Sequence, residues 1–328
     1  MSSSSLIKPR HLRRGDTVAL IAPASGAFNA GDLEFSKEWL GKLGLKYKIG
    51  KNIRKSYSDL AGTDDERLED LHEAWADDEV SAIIPVRGGN GVCRFLPKLD
   101  FELIQKNPKI LIGYSDLTAL INTIYQRCGL VTFHGPMAGS FYRSSYTYHY
   151  FQRAIMSNKP VGLVVDPIPA ELWAPKYPPA RIVFSEGKAR GALVGGCITL
   201  VKQLMGTPFE IDTEGKILFL EDVSEEPHSI DRYLTQLLLS GKLHKAKAIL
   251  VGECYKCEPG GSGRTRLSLN KSVEEVLRER LSGLGIPVVY GLRLGHGQDQ
   301  FTLPIGVTAS LEATRGKVKF KIEESGTI

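Results

Sequence analysis

The stretch Lys109-Ile-Leu-Ile-Gly-Tyr-Ser-Asp-Leu-Thr118 runs from an apolar strand pattern through a glycine to a serine, and then directly into a helical pattern. A serine on so sharp a turn projects its hydroxyl above a sheet edge. The N–H of the next residue, Asp116, points the same way at a helix N-terminus, where the dipole favours an oxyanion. Ser115 is therefore a candidate nucleophile. The nucleophile-elbow motif has glycine two residues after the serine, and Leu117 stands there instead. The same residues also suit a plain helix start with Ser115 or Asp116 as N-cap. Upstream, Arg87-Gly-Gly-Asn-Gly91 follows another apolar run. Its glycines let the backbone approach a ligand and aim N–H groups at negative charge, as a second oxyanion donor or a phosphate cradle; a plain turn needs the same residues. The dinucleotide fingerprint is excluded by Arg94 at its third glycine position, and a P-loop by the lack of a following Gly-Lys-Ser/Thr.

A serine nucleophile needs a base, and the base an orienting acid. Two of the histidines sit in loop-like contexts after strand patterns: His134 in Phe133-His-Gly-Pro136 and His296 in Leu294-Gly-His-Gly297. The apolar run Ile217-Leu-Phe-Leu ends in Glu221-Asp222. A carboxylate at a buried strand end needs a partner, either an imidazolium or the cation of an ion pair. Cys254-x-x-Cys257 has no second pair beside it, which argues against a zinc or redox motif. The aromatics Phe141, Tyr142, Tyr146, Tyr148, Tyr150 and Phe151 have few basic residues among them and read as packing or cleft-lining groups rather than base-stacking ones.

The elements that must hold these residues alternate. Strand patterns at Thr17–Ala22, Leu45–Ile49, Val80–Pro85, Lys109–Gly113 and Leu130–Phe133 are separated by helical patterns at Asp32–Leu43, after the capping box Thr63-Asp-Asp-Glu66, and at Asp116–Cys128. Strands apolar throughout and separated by helices predict a parallel sheet covered on both faces, with ligands at the carboxyl ends of its strands. The fold class expected is α/β: an N-terminal parallel-sheet, flavodoxin/Rossmann-like domain over 13–165, a Pro-rich linker over 166–185, and a C-terminal α/β domain over 186–328. In the second half, strand patterns fall at Gly191–Val194, Ile217–Glu221, Ala248–Gly252 and Pro287–Tyr290, and helical ones at Cys197–Met205, Pro227–Ser240 and Ser272–Leu281. Phe301–Ile322 reads as a β-rich end.

The chain has 328 residues, of which 42% are hydrophobic and 24% charged, an ordinary balance for a globular protein with a sizeable core. Its formal charge of +5 is spread along the chain without a basic stripe, so no nucleic-acid partner is expected. No apolar run reaches the ~18 residues of a membrane span. The N-terminus lacks the basic start, apolar run and cleavage site of a secretory signal, which predicts a cytoplasmic protein. Five irregularly spaced cysteines favour reduced thiols.

Over residues 13 to 312 the sequence resembles the LD-carboxypeptidase family of serine peptidases. The resemblance rests on Gly15-Asp-Thr-Val-Ala-Leu-Ile-Ala-Pro-Ala-Ser25, Arg87-Gly-Gly-Asn-Gly91, Ile112-Gly-Tyr-Ser-Asp116, His134-Gly-Pro136, Gly191-x-Leu-x-Gly-Gly-Cys197, Leu220-Glu-Asp222 and Gly295-His296, in that order. It implies a Ser–Glu–His triad of Ser115, Glu221 and His296, and so selects His296 over His134 and Glu221 over Asp222. It also implies an oxyanion hole from the amides of Asp116 and Gly89, no metal or cofactor, and a homodimer. The implied reaction is removal of the terminal D-Ala from peptidoglycan-derived tetrapeptides. The alternative is hydrolysis of an aminoacyl-nucleotide antibiotic of the microcin C kind, with an aromatic stacking on the base; Trp173 lies in the region for such a residue, and packing against the Pro-rich loop is its other reading. A further alternative, outside the enzymes, is a ligand-binding α/β protein without turnover. Family members often carry an aromatic where this chain has Asn90, which bears on the substrate wall; Arg87 is the candidate clamp for a substrate carboxylate.

Overall fold

The computed structural model describes residues 6–26, 30–140, 144–167, 181–259 and 271–328. Its strands are β1 (Thr17–Ile21), β2 (Lys46–Ile49), β3 (Val80–Pro85), β4 (Ile110–Gly113), β5 (Phe133–His134), β6 (Gly162–Val164), β7 (Ile182–Ser185), β8 (Gly187–Cys197), β9 (Ile217–Glu221), β10 (Ala248–Gly252), β11 (Val288–Leu292), β12 (Leu303–Pro304), β13 (Thr308–Thr314) and β14 (Lys317–Ile322). They form a six-stranded sheet in the order β12-β5-β4-β3-β1-β2 and an eight-stranded sheet in the order β6-β14-β13-β8-β9-β10-β11-β7. The fold is mixed α/β, as expected. In the first sheet every pairing is parallel except that of β12 with β5. The second has a parallel centre, β8 to β11, with antiparallel β13, β14 and β6 on one side and β7 on the other. In β4, β9 and β10 every residue is buried, Glu221 at the end of β9 included, as in a parallel sheet covered on both faces.

Two short strands cross the division read from the sequence. β6, from the N-terminal half, edges the second sheet, and β12, from the C-terminal half, edges the first. Residues 182–185, read as linker, form β7 against β11. Pro169, Pro175, Pro178 and Pro179 of that stretch lie outside the described residues. The expected strand at Leu130–Phe133 shortens to Phe133–His134 because the backbone before it is taken up elsewhere: the N–H of Ile7 donates to the Gly129 carbonyl (2.8 Å) and that of Val131 to the Ile7 carbonyl (2.9 Å). A helix, Ser145–Ile155, fills the aromatic stretch; Tyr150 and Phe151 are buried in the core, and Phe141 and Tyr142 lie outside the described residues.

The two sheets are tied together directly behind Ser115. The helix Leu117–Cys128 presents Thr118 and Asn122 to β8. The Asn122 amide donates to the Gly195 carbonyl (2.9 Å) and accepts from the Gly195 N–H (3.1 Å), while Thr118 Oγ1 accepts from the Cys197 N–H (3.1 Å). This close approach needs glycine: a Cβ on Gly195 would lie 1.9 Å from the Phe219 carbonyl oxygen, and one on Gly196 would lie 2.4 Å from Thr118 Oγ1. β8 in turn pairs Cys197 with Glu221 on β9. Asn122→Ala strips both buried partners from Gly195. Leaving such groups unsatisfied costs about 1–3 kcal/mol each, so the variant is expected to lose about 2–6 kcal/mol of stability, read from its urea midpoint.

Candidate active site

Loops at the carboxyl ends of the parallel strands carry nearly all of the candidate residues. Ser115 follows β4, the Arg87–Gly91 loop follows β3, Glu221 ends β9, and His296 follows β11. Ser115 has φ +62°, in the left-handed region that a β-substituted residue adopts only under local strain. The strain fits a side chain lifted out of the sheet on a strand-to-helix turn. Neither N-cap role appears: Ser115 precedes the cap position, and Asp116, which occupies it, makes no side-chain cap hydrogen bond. Gly88 lies beside Ser115, since a Cβ there would sit 3.0 Å from the serine Cβ and 3.2 Å from its Oγ. A side chain at position 88 would crowd the hydroxyl.

The Asp116 carboxylate accepts from the Val92 N–H (2.9 Å). That bond fastens the serine turn to the short helix that begins after Gly91. Burial pushes the Asp116 carboxyl up to about 6, against the lowering effect of the Val92 bond. In the glycine loop, Gly89 has φ +129°, and a Cβ on it would lie 2.1 Å from Ser25 Oγ. The N–H of Asn90 donates to Ser25 Oγ (3.3 Å), and its side-chain amide makes a close contact with Asp59, whose carboxyl that bond holds below its usual range. Arg87 donates to the Gly26 carbonyl (3.4 Å).

Glu221 and His296 meet. Nδ1 of His296 lies 2.7 Å from Glu221 Oε2, and Glu221 is fully buried. A carboxylate only accepts, so Nδ1 carries the hydrogen and, in the neutral ring, Nε2 keeps its lone pair. Gly295 makes room for this pair: a Cβ there would lie 2.6 Å from Oε2. The ring of Tyr114, the residue before Ser115, stands edge-on to the His296 ring at 4.7 Å between centroids. The loop bearing His296 is closed at its base by the Phe301 N–H on the Arg293 carbonyl (2.8 Å) and by a buried Arg293–Glu253 ion pair. The Gln300 N–H fastens it to Thr147 Oγ1 (2.9 Å).

The other candidates have different tasks. Asp222 accepts from the N–H and hydroxyl of Thr199 (3.0 and 2.9 Å) and from its neighbour Val223 (2.8 Å), so it anchors the helix Ile198–Gln203. Burial, then the nearby Glu221, pushes its carboxyl up to about 6. His134 is fully buried and bonds the Leu294 carbonyl. Cys254 and Cys257 are buried free thiols, both raised by burial. No group of His, Cys, Asp and Glu among the described residues could hold a metal ion. No helix among them is long and apolar enough to cross a membrane. Sequence reasoning missed Thr118, Asn122 and the side-chain role of Asp116. Their only signal was polarity on an otherwise apolar helix start.

Parallel sheets with a strained serine at one strand end and a buried Glu–His pair at the ends of two others have the architecture of an α/β serine peptidase. Residues 18–135 match the LD-carboxypeptidase N-terminal domain and residues 190–311 the C-terminal domain. The chain belongs to the LD-carboxypeptidase family. It is 40% identical over 315 residues to the probable murein peptide carboxypeptidase of Bacillus subtilis, covering 93% of this chain and 91% of that one. It is 34% identical over 301 residues to the murein tetrapeptide carboxypeptidase of Pseudomonas aeruginosa, covering 91% and 94%. An MccF-like protein from Bacillus anthracis has the same fold, with a TM-score of 0.85, 29% identity, and coverage of 97% and 99%.

Proposed function

We propose that this enzyme is a serine LD-carboxypeptidase that removes the terminal D-Ala from peptidoglycan-derived tetrapeptides, with Ser115, His296 and Glu221 as its triad. The observation that carries the reading is the His296–Glu221 hydrogen bond beside the residue preceding a left-handed serine. Ser115 Oγ attacks the carbonyl of the L-to-D bond while His296 Nε2 takes its proton. The new C–O bond forms as the carbonyl electrons move onto oxygen, which receives the amides of Asp116 and Gly89. The imidazolium, held by Glu221, then protonates the departing D-Ala nitrogen as the C–N bond breaks. Water, deprotonated by His296, resolves the acyl-enzyme and restores Ser115. Arg87 is the proposed clamp for the substrate carboxylate, and Asn90 part of the wall beside it.

The murein substrate is supported by the names of the two relatives above, both more identical to this chain than the Bacillus anthracis structure is. That structural likeness favours the second reading, amide hydrolysis of a microcin-like aminoacyl nucleotide; Trp173, which would stack on the base, lies outside the described residues. A cytoplasmic site of action is supported by five cysteines that are all free thiols. The homodimer rests on the family resemblance. Mass spectrometry of products from a muropeptide tetrapeptide and from a microcin-like conjugate tests the substrate. Loss of one D-Ala from the tetrapeptide, absent with Ser115→Ala protein, is expected; cleavage of the conjugate alone replaces the first reading with the second.

A further inference from the structure

His134 takes no part in the proposed chemistry, yet it touches each arm of it. On β5 it pairs with Gly113 of β4, two residues before Ser115. Its ring stands edge-on to Phe219, two residues before Glu221, at 5.0 Å between centroids. Its Nε2 lies 2.6 Å from the carbonyl oxygen of Leu294, two residues before His296. It also faces, at 6.2 Å, the Tyr114 ring that packs on His296.

A carbonyl only accepts, so Nε2 carries the hydrogen and donates. The other ring nitrogen, Nδ1, is buried and has no hydrogen-bond partner among the described residues. Burial lowers the basicity of the ring and keeps it neutral. An orphaned buried acceptor costs about 1–3 kcal/mol. A phenylalanine would fill the same space without that cost, so filling space does not account for the imidazole. The flat body and the single donor together do: the ring packs on Phe219 while Nε2–H fixes one carbonyl of the loop that bears His296.

We propose that His134 is a positioning residue for His296, setting the height of the histidine loop above the first sheet through the Leu294 carbonyl. The inference rests on the triad reading. A displacement of ~1 Å at a reacting group can cost ~100-fold in rate, and the Leu294 bond is a side-chain contact through which the strand beside β4 holds that loop, in addition to the pairing of β5 with β12 beyond it.

The test compares His134→Phe, His134→Gln and His134→Asn by steady-state kinetics on an L,D-tetrapeptide ending in D-Ala, with Ser115→Ala and His296→Ala alongside. His134→Phe keeps the ring and loses the donor. Glutamine carries an amide N–H about as far out as Nε2, and asparagine falls short of Leu294. The expected result is a kcat lowered about 10- to 100-fold in His134→Phe and His134→Asn with KM within about twofold, and recovered to within about threefold of wild type in His134→Gln. Wild-type kcat in folded His134→Phe overturns the proposal, and so does equal impairment of the Gln and Asn variants. Should His134→Phe fail to fold, the Gln–Asn comparison alone decides. Undiminished turnover in Ser115→Ala or His296→Ala would instead sink the triad, whatever the His134 variants do.

Discussion

Replacing Ser115 with alanine is expected to lower kcat by about 10,000- to 1,000,000-fold on the D-Ala-terminated tetrapeptide while leaving a folded protein, because removing a triad nucleophile costs nearly the whole covalent route. The hydroxyl contributes little to the fold. Its residue sits at φ +62°, so the backbone there is held in place by its surroundings: the Thr118 N–H on the Ser115 carbonyl (2.9 Å), the Asp116 carboxylate on Val92, and β4 before it. Alanine keeps the left-handed penalty and glycine relieves it, so Ser115→Gly is expected to be more stable than Ser115→Ala by about 1 kcal/mol. Both should be inactive. Thermal or urea unfolding of the pair reads the strain, and loss of fluorophosphonate labelling reads the chemistry. A glycine variant no more stable than the alanine one would mean that the turn stores no strain at this residue. An active alanine variant would remove Ser115 from the mechanism.

The turn shows what a sequence can and cannot tell. Strand, glycine, serine and helix are readable as local patterns, and so β3, β4, β9 and β10 fall within a residue of their expected ends. Pairing across the two halves is not local. Nothing near Phe133 announces that the Ile7 backbone takes the hydrogen bonds of Gly129 and Val131. Nothing near Leu303 announces a two-residue strand on the far sheet. The same holds for the site. Glu221 and Asp222 are equally placed at the end of an apolar run. They point to opposite faces of the strand end, and only tertiary neighbours decide that one meets His296 and the other Thr199. Between His134 and His296, family resemblance made a choice that spacing left open. Neither hinted that His134 would be fastened to the loop of its rival.

That pair of adjacent carboxylates yields the sharpest contrast. Glu221→Gln is expected to lower kcat about 1,000- to 10,000-fold with little loss of stability, whereas Asp222→Asn should stay within about tenfold of wild type. The glutamine removes the negative charge that stabilises the imidazolium formed as Ser115 gives up its proton. It also brings an amide N–H that can donate to Nδ1, which would force the hydrogen onto Nε2 and leave the base unable to accept. The fold loses little, because Glu221 is wholly buried and a neutral amide is cheaper to desolvate than a carboxylate. Asp222 touches no reacting group; its oxygens serve Thr199 and Val223, and one amide oxygen keeps part of that set. Its effect should appear in the pH dependence of stability instead. Burial raises its folded-state carboxyl to about 6, from an ordinary value of 3.8, so the folded protein binds the proton more tightly than the unfolded chain. The stabilisation this gives is complete below the unfolded value and is lost as pH rises through the folded one. Between about pH 4 and pH 6, wild type should therefore lose stability relative to Asp222→Asn. Urea midpoints across that range, set beside kcat at neutral pH, separate the two carboxylates. Equal kinetic damage from both substitutions would show that the Glu221–His296 bond is not what orients the base.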